Sequence, residues 1–506
     1  MADKYIMSSS EPVIDLTNVL SRGRSCAVSG GKPWLSSYVM SFGNEPTFES
    51  EIESASSAFS IQGRYDGAWW VVRCFGQTVE CFTDALGLSP LWTDGRWVSP
   101  SFVALVKHLV TRGHRLSVNL VKAMEFIEYG YCTDESVFDG IYRIGGPRVL
   151  SCYADGRFDI EVIERHLLGT SAPVSPTEAP DAVVERLKTA VDRLGVAAVS
   201  ADLTGGQDSR LCAAALHQHH CLSEAAGSSA DGAAPDLVLA RRCADILGVP
   251  FYGLVHQVPD ENVDLDALLE YGGGLADLLP LHRHRSIQLS RVERCVQHAV
   301  SGIGGELLKD FWWLQDFPYY NRRRADIKRL LSTRVNPIPQ PLSILTKEAI
   351  QALEVARGEL TSRVNSLADT ATSNTEAYDR IYFHEKMANV PSPYIVGCEK
   401  EGISLMPLLL DRGILDAGFS ARRSDRFMAG LHRHALANLL PPLCSISTTE
   451  GTRLQPGVAK WLDSGAWAAN KSKRFAKKVV QKATGVTVFQ SSPNARGHVL
   501  SENADA

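Results

Sequence analysis

The sequence predicts a mixed α/β protein of two units: a first α+β unit, then a doubly wound unit with a parallel sheet and helical insertions. Three observations lead there. Short alternating strands joined by tight turns fill residues from about 60 to 100 and return in GIYRIGGPRVLSCYADGRFDIE, a polar, proline-bearing stretch GTSAPVSPTEAP interrupts the chain near 170–180, and apolar strands then alternate with helices. The implied boundaries are a first unit over 1–168, a linker over 169–180, a second unit over 181–468, and a basic, partly disordered tail over 469–506 containing KSKRFAKKVVQK.

In the first unit, GAWWVVRCFGQTVECFTD reads as two strands joined at Phe75-Gly76-Gln77. A turn-rich LGLSPLW and a short strand around RWVSP follow. SVNLVKAMEFIEY (117–129) is expected to be helical, and GIYRIGGPRVLSCYADGRFDIE returns to strand and turn. In the second unit, a helix over Asp181–Leu194 precedes the strand VAAVSADL (196–203), the helix SRLCAAALHQH, the strand CLSEAAGSS, the helix PDLVLARRCADILG and the strand VPFYGLVHQV (249–258). From about 262 to 445 helices dominate, with NRRRADIKRL expected as a solvated helix. There is no internal repeat.

The 506 residues are 44% hydrophobic and 22% charged, as in an ordinary globular protein. With 52 basic against 57 acidic residues and a net charge of −5, nothing global points to a nucleic-acid or membrane partner. No apolar run reaches the roughly 18 residues that a bilayer crossing needs, and MADKYIMSSSEPVIDL lacks the pattern of a secretory signal, so a cytoplasmic protein is expected. The 11 cysteines form no C-x-x-C pair and read as reduced, mostly buried thiols. His217, His219 and His220 fall at the expected end of a helix, where imidazoles meet exposed carbonyls; that placement explains them better than a metal site.

The strongest chemical signal is L-T-G-G-Q-D-S-R, residues 203–210, between an apolar strand and a helix. Gly205 and Gly206 allow a tight turn that exposes consecutive N–H groups, Thr204 and Ser209 add hydroxyls, and Gln207 leads into a helix whose positive end points at the same spot. This is an anion cradle. Asp208 inside it would repel phosphate, which a magnesium ion between the two resolves. No G-K-[ST] is present, so it is not the lysine-bearing phosphate loop; the plain alternative is a glycine turn after a strand. A second string, V-S-G-I-G-G-E-L-L-K (300–309), places Gly302 and Gly304 beside Glu306 and offers a second carboxylate for a magnesium–triphosphate site, or else an acid that caps the next helix.

These strings resemble a family. T-G-G-Q-D-S is similar to the S-G-G-x-D-S pyrophosphate loop of the asparagine synthetase superfamily, with threonine for the first serine. S-G-I-G-G-E resembles its second signature, S-G-E-G-x-D-E-L. TDALGLSPLW (83–92) resembles the R-D-x-x-G-x-x-P-L-Y of its glutaminase domain, FIEYGYCTDESVFDGIYRIGGP (126–147) the end of that domain, and MPLLLD (406–411) its late V-P-F-L-D segment. The resemblance spans about residues 60–445 in the family's order.

It implies a glutaminase-like (Ntn-type) sandwich followed by an adenine-nucleotide α-hydrolase-like synthetase domain, with ATP and Mg2+ as cofactors. In such a ligase a substrate carboxylate attacks the α-phosphorus of ATP, pyrophosphate leaves, and an amine attacks the acyl-adenylate. Asp208 and Glu306 would hold magnesium, residues 204–209 with Gly302 and Gly304 the nucleotide, and Cys221–Ser229 would border the adenine. Tyr382 and Glu385, one turn apart in YDRIYFHEK, fall where related ring-forming ligases keep acid/base groups; the spacing equally suits a helix-surface pair.

Departures from the family narrow the activity. The glutaminase branch needs a cysteine directly after the initiator methionine; position 2 is Ala2, and Cys26 would serve only after clipping. Ile303 replaces the acid of the second signature. Thr449 stands where the family keeps a late lysine, leaving Arg453 or a distant cation as substitute. An amide ligase using its substrate's own amine, resembling the lasso-peptide macrolactam cyclase and β-lactam synthetase branch and above all the cyclases, accounts for these changes. An ammonia-using asparagine synthetase and a non-catalytic binding protein are the alternatives. The cyclase reading implies a peptide or small carboxylate substrate and, as partners, a leader peptidase or precursor-recognition protein. In it, Asp208→Ala abolishes AMP formation with little loss of fold.

Overall fold

The computed structural model describes residues 13–22, 27–35, 48–162, 174–229, 234–255, 264–274, 276, 278–316, 320, 322–335, 342–449 and 451–457. Ala2, Cys26, the 169–173 part of the linker and the 469–506 tail lie outside the described residues.

The chain is mixed α/β. Its strands, in order, are β1 (Ile14–Asp15), β2 (Ala27–Leu35), β3 (Tyr65–Phe75), β4 (Thr78–Thr83), β5 (Leu91–Thr93), β6 (Trp97–Ser99), β7 (Tyr142–Ile144), β8 (Arg148–Tyr153), β9 (Phe158–Val162), β10 (Val199–Asp202), β11 (Leu222–Ser229), β12 (Phe251–Val255), β13 (His298–Val300) and β14 (Ser404–Met406). The first nine form two antiparallel sheets, ordered β2-β3-β4-β8-β9 and β1-β6-β5-β7.

Side-chain alternation along β3 decides how these sheets stack, because neighbouring residues of a strand face opposite ways. Trp70, Val72 and Cys74 join Leu91, Val98 and Ile144 of the smaller sheet in one core. Trp69 and Val71 pack the other way, with Phe48, Ile52 and Ile61 of the helices Phe48–Ser54 and Ala58–Arg64. The outer face of the smaller sheet, through Trp92 and Trp97, packs on Phe102, Leu105 and Leu109 of the helix Phe102–Thr111. The first unit is therefore layered helix, sheet, sheet, helix. Both faces of β3 are buried, so its run of apolar residues shows no simple hydrophobic alternation.

The last five strands form one parallel sheet, ordered β12-β11-β10-β13-β14. The helix Ala179–Arg193 leads in, two residues earlier than the sequence suggests. Asp208–Gln218 and Pro235–Leu247 connect the first three strands. Leu211 to Leu216 are fully buried, and three successive alanines let this helix approach the sheet closely.

Two expectations change. In NRRRADIKRL the α-helix is only the turn Ile327–Leu330, capped by Asp326 and continued as a π-helix over Leu331–Val335, while Arg322, Arg323 and Arg324 are exposed ahead of the cap. The segment carrying Tyr382 and Glu385 is likewise a π-helix, Tyr382–Met387, following the α-helix Asn374–Ile381. Among the described residues no helix is long and apolar enough to cross a membrane, and Cys74, Cys81, Cys132, Cys152, Cys212, Cys221, Cys243, Cys295, Cys398 and Cys444 form no disulfide.

Candidate active site at the reversal of the parallel sheet

Connections to the parallel sheet leave in opposite directions from its neighbouring strands β10 and β13. In open α/β sheets the crevice beyond the carboxyl ends of such strands is where ligands bind. The loop 203–207 follows β10 and the string 301–305 follows β13, so the sheet order brings both sequence signals to that crevice.

The two loops touch, and glycine makes this possible. A Cβ on Gly302 would stand 2.5 Å from the Ser209 amide nitrogen, and one on Gly305 2.3 Å from Asp208 Oδ1. Gly304, at φ +93°, turns the chain into the 3-10 turn Gly305–Leu308 against Leu410. Ile303 packs on the main core, an apolar contact that explains why this position carries no acid.

Within the first loop, the Ser209 hydroxyl accepts from the Thr204 amide at 3.2 Å and pairs with the Thr204 hydroxyl at 3.0 Å. The Gly206 amide donates to Thr204 Oγ1 at 3.1 Å and the Gly205 amide to Asp236 Oδ1 at 3.2 Å. Gln207 is the residue before the helix Asp208–Gln218 and makes no side-chain cap.

A late segment closes over this loop. Buried Arg210 donates to the carbonyls of Ile446 at 2.6 Å and of Gly205 and Ser447 at 3.3 Å. Thr449 donates from its amide to the Gly205 carbonyl at 3.1 Å and from its hydroxyl to Asp236 at 2.6 Å. The resulting cavity of about 250 Å³ is lined by Gly206, Gln207, Asp208, Lys309, Asp310, Phe311, Met428, Ala429, Arg433, Thr448, Thr449 and Thr452.

Asp208 is the electrostatic centre. Lys309 Nζ donates to both of its oxygens, at 3.0 and 2.7 Å, and His432 Nε2 lies 2.8 Å from Oδ1. Neither ring nitrogen of fully buried His432 makes an in-line hydrogen bond, so its contact with Asp208 is one of proximity. Burial alone would raise the Asp208 carboxyl, but the Lys309 charge and the His432 contact outweigh it and hold the group well below the usual carboxylate range. Glu306 moves the other way, pushed up by burial and by the charge of Asp208. Asp310, 3% exposed, is also raised by burial, and its Oδ2 has no hydrogen-bond partner.

Tyr382 stacks edge-on against Trp312 at 4.8 Å and Phe311 at 5.9 Å. Burial, then the charges of Glu306 and Asp208, raise its phenol far above the ordinary value; it does not itself line the cavity but backs Phe311, which does. Glu385 turns elsewhere, accepting from Arg363 Nε at 3.1 Å and from the Tyr131 hydroxyl of the first unit at 3.4 Å. The π-turn separates the two side chains that an α-helix would keep on one face. Arg453 is exposed and does not line the cavity; its carbonyl accepts from Arg433. Cys221–Ser229 contributes β11 but none of the lining residues.

Lys309, Asp236, Arg210, His432, Arg433 and Thr448 are what the sequence reasoning missed. Lys309 and Arg210 end the two quoted strings and could have been read from them; the others carry no local signal. His219 Nδ1 lies 2.6 Å from Asp192 Oδ1, a helix-end pairing. Among the described residues no three histidine, cysteine or carboxylate side chains gather as a metal site. No protein-family model matches the chain, and no curated protein matches it.

Proposed function

We propose that the chain is an ATP-dependent ligase that forms an amide bond through an acyl-adenylate, releasing AMP and pyrophosphate, and that it closes a peptide into a macrolactam in the manner of a lasso-peptide cyclase. The observation that carries this reading is the meeting of 203–209 and 301–306 at the sheet reversal, with Asp208 lining the cavity and Glu306, just behind its lining, close enough to feel the Asp208 charge. The helix–sheet–sheet–helix layering supports a glutaminase-like first unit, and the strand order supports a synthetase unit of the adenine-nucleotide α-hydrolase kind.

The donor set fits magnesium bound together with a polyphosphate. Two carboxylates suffice when phosphate oxygens complete the shell, so the lack of a three-residue cluster is in keeping with it. Asp208 and Glu306 would hold the ion, whose chemistry is to neutralise charge that develops on the departing pyrophosphate.

The chain's own residues do the rest. The helix N-terminus at Asp208 would meet an anionic substrate beside Thr448 and Thr452, whose hydroxyls pair at 2.6 Å and leave one proton to give, while the Thr449 hydroxyl is committed to Asp236. Arg433, tied to the carbonyls of Met428 and Gln455 at 2.9 and 3.1 Å, provides a fixed positive wall. Asp310 has a buried oxygen to accept from the substrate's amine. Tyr382 keeps its proton and so is no general base. Glu385, committed to Arg363, acts from outside the cavity. Holding amine and acyl group on one peptide replaces a bimolecular encounter by an effective molarity that reaches about 10⁵ M or more when orientation is good.

The test is mass spectrometry of core peptides bearing an N-terminal amine and an Asp or Glu side chain, incubated with ATP and magnesium. Loss of one water, with AMP and pyrophosphate released and the reaction blocked by N-terminal acetylation, is the expected result. Release of ADP and phosphate would contradict it, and ammonia-dependent conversion of aspartate to asparagine would establish the asparagine-forming alternative.

A further inference from the structure

Both oxygens of Asp208, the residue best placed to meet magnesium, are already taken by Lys309, at 2.7 and 3.0 Å. The two cationic side chains lining the cavity differ in freedom. Arg433 is 2% exposed and fastened to backbone carbonyls, whereas Lys309 carries a compact ammonium on a flexible stem whose donors can be redirected. It leaves the turn that presents Glu306 and reaches the cavity wall beside the Thr448–Thr452 segment.

A divalent cation arriving alone must displace Lys309 from Asp208 and leave a second positive charge beside it. A polyphosphate arriving alone meets Asp208 as soon as it draws Lys309 away. When both arrive, one ion pair is exchanged for two. We propose that Lys309 is an internal counter-cation that trades partners, holding Asp208 in the empty enzyme and passing to the polyphosphate when a metal takes the carboxylate. Metal and nucleotide then bind cooperatively, each raising the other's affinity by the same factor. This rests on the ligase reading.

Mn2+ is the probe for the metal, followed by the electron paramagnetic resonance of the free ion, and α,β-methylene-ATP, which cannot be cleaved at the reacting bond, is the nucleotide. Wild-type protein should bind Mn2+ about tenfold or more tightly when the analogue is present, a coupling of ordinary size. Lys309→Gln should bind Mn2+ more tightly than wild type in the absence of nucleotide and should lose most of the coupling. Lys309→Arg, which keeps the charge, should retain weak binding of the metal alone.

Independent binding of metal and analogue to the wild type would overturn the proposal without any variant. So would an unchanged affinity of Lys309→Gln for Mn2+ alone. If the wild type binds no nucleotide at all, the ligase reading falls and this inference with it; if nucleotide binds without coupling, only the inference falls.

Discussion

Replacing Asp208 by alanine takes two carboxylate oxygens away from Lys309, whose side chain is 13% exposed. A largely buried ammonium deprived of its counter-charge costs about 1–3 kcal/mol, so Asp208→Ala should lower thermal stability as well as abolish AMP formation. The sequence suggests only the second effect, since a loop carboxylate ordinarily matters little to a core. Adding Lys309→Met should recover at least half of the lost stability, because the stranded charge goes with it. Calorimetry of both single variants and the double variant checks this; losses that simply add would show that the pair does not couple.

At the scale of elements, the two loops after β10 and β13 depend on backbone contact. Alanine at Gly302 would bring its Cβ to 2.5 Å from the Ser209 nitrogen and 2.9 Å from the Asp208 carbonyl carbon, backbone atoms that cannot swing aside. At Gly206 the nearest atom is the Thr204 hydroxyl at 3.2 Å, which can rotate. Gly302→Ala is therefore expected to cost about 1–3 kcal/mol and to weaken binding of α,β-methylene-ATP, with Gly206→Ala clearly milder on stability. Urea unfolding and equilibrium binding of the analogue rank the two, and equal stability losses would refute the close-contact argument. The turn over Tyr382–Met387 works differently: its π geometry aims Tyr382 at the cavity wall and Glu385 at the first unit, so one short segment links the site to the neighbouring sandwich.

Over the whole molecule the two units share one hydrophobic core that includes Leu88, Tyr129 and Tyr131 of the first and Tyr382, Phe383 and Leu410 of the second. Polar pairs join the two units at this junction. Glu125 accepts from Arg363 at 2.9 Å, Glu128 accepts from Arg357, and Arg143 donates to Asn389 at 3.2 Å. Glu399, in the helix Ser392–Lys400, is pushed up to about 8, first by burial and then by the charge of Asp84, itself raised to about 6 by burial. The folded chain thus keeps the Glu399 proton to about pH 8, whereas the unfolded chain releases it near the ordinary carboxyl value of 4.5. Between these limits the folded state binds more protons, so this group's contribution to stability is complete below pH 4.5 and is lost as pH rises through 8. Glu399→Gln, which keeps the shape and removes the ionisation, should flatten the fall in urea midpoint between about pH 5 and 9; curves that remain parallel would exclude Glu399 as its source.

What the sequence determined by itself was local. Strand, glycine turn and helix around Thr204–Ser209 follow from residue spacing and backbone freedom, which act within a few residues, and the same is true of the β3–β4 hairpin at Gly76 and of the alternation of strands and helices after residue 180. The tertiary structure decided which sides meet. Both faces of β3 are apolar, so no periodicity could say that Trp70 faces the second sheet and Trp69 the helices. Asp236, from the helix between β11 and β12, and His432 and Thr449, from the late part of the chain, reach the loop only in the folded molecule, and Arg210 draws the late segment in. Lys309 stood in plain view at the end of its string, yet its bond to Asp208 exists only because Gly302 and Gly305 let two backbones come within contact. Hydrogen bonding and steric rules operate over one turn; the electrostatics of a site depend on charges that only packing brings together.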